Sequence, residues 1–210
     1  MYYNNIDYIK MLYCNLLQEY NFIPLPSFFV LNYTEDINNK NIISENNNYM
    51  HCGKSHHDII FANKSIPFYN LYNFYNLYNI YYYELTISQD SHREEWNNMN
   101  ISIGFGSKSI TTDNMIIGWD KDSVGYSIDG NISCWAKKDI NYEKYGKGDT
   151  VGAGIIYDFL YYKIFFTLNG KRCNEILCIP NTIELIPMIA INYNSIVSVN
   201  FNKPFVYKIK

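Results

Sequence analysis

An all-β sandwich is the fold class that this chain of 210 residues predicts. Three observations lead there. Apolar and aromatic residues fall in short runs rich in Ile, Val, Tyr and Phe, and Gly, Asn or Pro closes each run. Between the runs there is little helical spacing. Within "TLNGKR", Asn169-Gly170 is the strongest short hairpin signal, because both central turn residues tolerate positive φ.

Taken in order, residues 6 to 20 come first. Ile6, Ile9, Leu12, Tyr13, Leu16, Leu17 and Tyr20 recur at three and four, the spacing of a helix with one apolar face, and "IPLP" at 23–26 stops it. This predicts an N-terminal helical extension, docked on the domain or offered to a partner. Residues 1–41 are read as helix and linker, and 42–210 as the β domain. Within that domain strands are expected at 81–88, 100–107, 151–159, 162–172, 185–192 and 196–201. The triplet repeat "FYNLYNFYNLYN" at 68–79 has a period of three, which suits neither strand nor helix. It reads as a low-complexity, Tyr/Asn-rich insertion between two strands, with a sticky surface as its functional alternative.

Composition narrows the function classes. The 22 Tyr and 29 Asn are an unusual excess that AT-rich codons explain. A net charge of −3 with no basic stripe argues against nucleic acid as a partner. Five scattered cysteines without a CxxC pair suggest reduced thiols, hence the cytoplasm or nucleus. The N-terminus makes a poor signal peptide, and no run approaches the ~18 apolar residues of a membrane span, so membrane insertion is not expected.

The stretch "GWDKDSVGYSIDG" at 118–130 invites chemical readings. As a calcium loop it places Asp120, Asp122 and Gly125 at positions 1, 3 and 6. Val124 and Asn131 then fall where two required ligands belong, so calcium is rejected. "GFGSKS" lacks its third Gly and a following helix, so phosphate binding is not expected. His51, Cys52, His56, His57 and Asp58 are good zinc ligand types, but adjacent His56 and His57 on a strand point to opposite faces. No second Cys/His group closes a tetrahedron. No nucleophile elbow is present either. Neither cofactor nor metal is expected, nor is enzymatic activity.

The order of small motifs is more specific than any one of them. "YYYELTI", "ISIGFGSK", "GWDKDSVGYSIDG", "YGKGDTVGAGI", "IFFTLNGKR", "LIPMIAI" and "VNFNKPFVY" follow in series from residue 81 to 207. This set resembles a SPRY domain, closest to the branch found in RanBPM-type proteins and fungal ubiquitin-ligase adaptors. The resemblance covers roughly residues 42 to 208. It implies a bent antiparallel β-sandwich of concanavalin-like architecture that binds a protein or peptide ligand through loops at one end. It also implies a role as scaffold or substrate-selecting subunit of a ubiquitin-ligase assembly. No LisH or CTLH region and no PY motif is recognisable, so a complete RanBPM-like scaffold is not expected, and residues 1–20 would be the tether to a larger complex.

By the same resemblance Tyr126, in "SVGY", lines a shallow peptide pocket. A second wall is the turn Asn192-Tyr193-Asn194, where relatives often carry an apolar-Trp-Gly sequence. A third places His56, His57 and Asp58 at the rim. Tyr126 and Trp119 have a structural alternative as core aromatics, the stronger of the two for Trp119. A carbohydrate-binding or hydrolytic sandwich using Asp120 and Asp122 is the rival reading. A purely structural subunit is a third.

Overall fold

Branched and aromatic side chains fit a pleated, half-buried surface, and the runs that carry them become strands. The computed structural model describes residues 31–33, 42–45, 48–51, 57–62, 65–66, 80–90, 101–110, 116–134, 137–157, 161–173, 177–180, 182–192, 194–202 and 204–208. Its strands are β1 (Leu31–Tyr33), β2 (Ile42–Glu45), β3 (Asn48–His51), β4 (His57–Ala62), β5 (Ile80–Gln89), β6 (Ser102–Gly106), β7 (Ser123–Ser127) and β8 (Asn131–Cys134). They continue with β9 (Lys137–Asn141), β10 (Thr150–Tyr157), β11 (Tyr161–Leu168), β12 (Lys171–Arg172), β13 (Leu177–Pro180), β14 (Ile186–Asn192) and β15 (Ile196–Asn200). No helix occurs among the described residues, and so none there is long and apolar enough to cross a membrane.

All pairings are antiparallel and build two sheets. One runs β1-β4-β14-β6-β7-β8-β9; the other runs β12-β11-β10-β5-β15-β3-β2, with β13 also paired to β11. The Asn169-Gly170 hairpin forms as expected: both residues have positive φ, and Leu168 faces Lys171 across the turn. Strand β1 lies within the segment read as linker, yet it pairs with β4 through Leu31↔Ala62 and Tyr33↔Ile60. The sheet therefore begins before residue 42. The expected helix at 6–20 and the insertion at 68–79 lie outside the described residues.

Strand β5 explains how the layers are joined. Tyr81, Tyr83, Leu85 and Ile87 enter the main core between the sheets, while Ile80 and Tyr82 point the other way into a second apolar cluster. The Tyr83 hydroxyl spans the sandwich. It donates to a backbone carbonyl of the facing sheet, with Gly104 O and Met188 O (2.8 Å) both in reach, and it accepts from the Gly104 amide at 3.1 Å. On the outer side Phe205 and Tyr207 pack on Tyr82, and Arg172 lies 4.6 Å above the Phe165 ring. Buried beneath this strap is Glu84. Its Oε1 accepts from the Tyr82 hydroxyl and the Tyr207 amide, both at 2.9 Å, and its Oε2 accepts from the Val206 amide at 3.0 Å.

Candidate functional site: the loop rim of the sandwich

Antiparallel pairing collects turns at the two ends of the sheets, so register decides which loops meet. Asn192↔His57, Ala190↔Ser102 and Ser102↔Ser127 bring the start of β4, the end of β14 and the end of β7 to one end. In the second sheet Ile196↔Gln89 and Thr150↔Thr86 continue that end.

The loops there are tied in a continuous string. The Asn192 side chain accepts from the Ser195 hydroxyl while its carbonyl accepts from the Ser195 amide at 3.1 Å, closing the turn. Exposed Asn194 sits at φ 59, a conformation Asn tolerates, and its carbonyl accepts from Gln89 Nε2 at 3.3 Å. Asp90 Oδ2 accepts from the Lys147 amide at 3.2 Å, and Asp149 Oδ2 from the Gly146 amide at 2.8 Å. Asn169 completes the run, donating through Nδ2 to Asp149 at 2.8 Å and accepting the Thr150 amide at 2.9 Å. Four separate segments are thereby braced side by side.

The predicted site residues distribute unevenly over this rim. Asn192 and Asn194 lie on it, Asn192 buried as the turn former and Asn194 exposed. His57 opens β4 at the same end, and Asp58 follows it, half-buried. His56 and Tyr193 lie outside the described residues. Tyr126 is near this end but wholly buried. Its ring packs at 5.0 Å on Tyr145 and 5.8 Å on Phe166, and its hydroxyl donates to the Glu143 carbonyl. Burial pushes its phenol well above the ordinary range, with the neighbouring Cys173 as the next cause. Its ring fills the core, the structural alternative considered for it, and offers no face to solvent. Residues that pattern reading missed are Gln89, Asp90, Asp149 and Asn169. Only the last carried a signal, as a turn former.

The expectation for Trp119 is corrected. It is 53% exposed, at the opposite end of the sheet, because the turn at 116–122 holds it outward. Gly118, at φ 104, takes a conformation that side-chain-bearing residues rarely adopt, and a Cβ there would lie 2.4 Å from Ser133 O. Asp120 and Asp122 serve the same turn through their carbonyls, which accept from the Ser123 and Ser107 amides. Among the described residues no three His, Cys, Asp or Glu side chains gather to hold a metal ion.

With this geometry the family comparison is direct. The model of the SPRY domain family matches residues 80–204. The chain belongs to the SPRY domain family. Solved structures with the same fold include a human SPRY domain, 23% identical with a TM-score of 0.60, covering 79% of this chain and 98% of that one. The SPRY domain of human HERC1 is 15% identical, with a TM-score of 0.56 and coverage of 78% and 94%. The PSpry domain of TRIM65 is 9% identical, with a TM-score of 0.57 and coverage of 91% and 99%. No curated protein matches the chain. At these identities the SPRY likeness speaks to the fold, and the rim residues must carry the function on their own chemistry.

Proposed function

We propose that this SPRY domain is a non-enzymatic protein-interaction module whose braced rim binds a short extended peptide of a partner protein. The observation that carries the reading is the string of hydrogen bonds joining Asn192, Asn194, Gln89, Asp90, Asp149 and Asn169. A rigid sandwich that fixes its loops can vary the exposed side chains without refolding. Amide side chains such as those of Asn194 and Gln89 supply both donors and acceptors for an extended backbone. Tyr193, between the two asparagines in sequence, is the aromatic anchor of the proposal, and His56, His57 and Asp58 supply its polar border.

The test is a quantitative pull-down comparing wild type with an Asn194→Gly/Gln89→Ala variant and with Tyr193→Ala. Glycine keeps the positive φ while removing the side chain. Loss of one discrete partner set from folded variants supports the rim; identical partner sets from all three proteins refute it.

A finer reading makes the chain a scaffold or substrate-selecting subunit of a ubiquitin-ligase assembly in the cytoplasm or nucleus, tethered through residues 1–20. It rests on the resemblance of the motif order to that of the RanBPM-type branch. Unchanged co-purification with ligase subunits after deletion of residues 1–20 would remove the tether from the proposal. Recovery of partners without any ligase subunit would remove the assembly.

A further inference from the structure

We infer that the outer face of the β10-β5-β11 sheet holds a peptide groove, closed in cis by the chain's own residues 205–207, that takes an extended aromatic-x-aromatic segment of a partner protein. It goes beyond the rim reading and does not rest on it.

Two glycines make the floor. Gly152 and Gly154 stand on β10, between β5 and β11, and leave its outer face bare. A Cβ on Gly152 would lie 2.1 Å from the Tyr82 hydroxyl, and one on Gly154 would lie 2.2 Å from the Phe165 ring. Tyr82 and Phe165 therefore lean in from the flanking strands, their rings 7° from parallel with centroids 6.0 Å apart. With Ile80 and Ile156 they form an apolar patch separate from the main core. Glu84 stands beside it. Its carboxylate accepts from the Tyr82 hydroxyl at 2.9 Å, and that hydroxyl meets Thr167 Oγ1 at 2.7 Å.

Residues 204–208 lie on this floor as a ligand would. They belong to no strand of either sheet, and side chains seat them. Phe205 meets Tyr82 edge-on at 5.0 Å, while Tyr207 reaches Tyr82 at 5.6 Å and Phe165 at 6.0 Å. Val206 between them turns outward, 52% exposed, so its side chain goes unread. The amides of Val206 and Tyr207 converge on Glu84. The groove thus reads two aromatic rings two positions apart and two consecutive free amides. Any extended aromatic-x-aromatic segment without proline at its last two positions presents the same features. Displacing the strap takes two of three donors from Glu84 and wets the apolar floor, and a replacement segment restores both. Phe205 and Tyr207 are only half-buried, and Pro204 and Lys208 are exposed, so a competitor meets the strap from solvent.

The probe is a fluorescein-labelled peptide with the sequence of residues 203–208, titrated by anisotropy against the full chain. Phe205→Ala/Tyr207→Ala vacates both ring seats and should bind the probe. Wild type should bind it at least about tenfold more weakly, because a tethered occupant competes at roughly millimolar effective concentration. Adding Glu84→Gln to the vacated chain should weaken binding about tenfold or more, the loss of one charge-assisted hydrogen bond. Adding Asn194→Gly/Gln89→Ala should leave it unchanged, which separates groove from rim. A probe with alanine at both aromatic positions should not bind. Thermal midpoints confirm that each variant is folded. Should the vacated chain unfold, wild type decides: excess probe should speed hydrogen exchange at the chain's own Val206 and Tyr207 amides. The inference is overturned if the probe binds the vacated chain no better than wild type, or if the alanine probe binds equally well. Unchanged protection of both amides under excess probe overturns it too. Concentration-dependent dimers of wild type that the vacated chain lacks would give the groove to a second copy's strap and overturn the partner assignment.

Discussion

Replacing Glu84 by Gln tests how the strap at 204–208 is held. The carboxylate is 3% exposed and receives three donors: the Tyr82 hydroxyl and the amides of Tyr207 and Val206. It accepts at both oxygens and never needs to donate. Gln can keep one oxygen, best spent at the Oε1 position where two donors converge. Its NH₂ group then faces the Val206 amide, donor against donor. One charge-assisted hydrogen bond is lost, worth about 1.5–3 kcal/mol, and a partly buried amide is left unsatisfied at about 1–3 kcal/mol. Partial relaxation of the strap absorbs some of this, so a net loss of about 2–4 kcal/mol is expected. For a chain of this size that lowers the melting temperature by roughly 4–16 °C. Hydrogen exchange should report the place as well as the size, with the Val206 and Tyr207 amides losing protection ahead of β5 itself. A Glu84→Gln protein within about 0.5 kcal/mol of wild type, with both amides still protected, would refute the anchoring argument.

Three further outcomes follow from the same structure. Tyr126→Ala should cost about 3–5 kcal/mol and destabilise the whole sandwich, since the ring is a core side chain; urea denaturation of Tyr126→Ala beside the milder Tyr126→Phe checks this. Stability should fall at alkaline pH, because burial raises the Cys173 thiol from 9.0 to about 12 and raises the Tyr83 and Tyr126 phenols as well. The unfolded chain releases these protons first, so the contribution is complete below about pH 9 and is lost as pH rises through about 12; melting temperatures above pH 9 read it directly. Iodoacetamide should modify exposed Cys178 in the native protein and reach buried Cys173 only on unfolding, with peptide mass spectrometry as the readout.

Much of the fold was legible because strand signals are local. "LIPMIAIN" and "IFFTLNGKR" carry their own apolar runs and turn chemistry, and both formed close to the expected boundaries. Strand β1 was not legible. Three residues, Leu-Asn-Tyr, have too little pattern of their own and become a strand by pairing with β4. The two faces of "YYYEL" were equally hidden. Alternation marks a strand clearly when one face is wet, but here both faces are buried, so tyrosines occupy each and the lone Glu looks like a solvent-facing residue. Two of its three donors come from residues 206 and 207, more than a hundred positions away, and no local window contains them.

Site geometry was harder to read for the same reason, and Tyr126 and Trp119 show it as a pair. They stand seven positions apart in one stretch, and residue type alone favoured the larger indole for the core. Backbone conformation reversed that order. Gly118 at positive φ turns the chain so that residue 119 leaves the sheet surface, whereas Tyr126 occupies an inward position of β7 opposite Ile132. Strand parity, not hydrophobicity, put the phenol under Phe166 and Tyr145. The same parity fixes what each end of the sandwich can offer. At the rim the strands end in Asn, Asp and Gln side chains that spend their polarity bracing one another, which presents amide groups in fixed positions. At the far end the turn is closed by its own backbone and by the Ser123 hydroxyl, and it leaves the Trp119 indole exposed. Binding at the rim is therefore expected to read a peptide backbone.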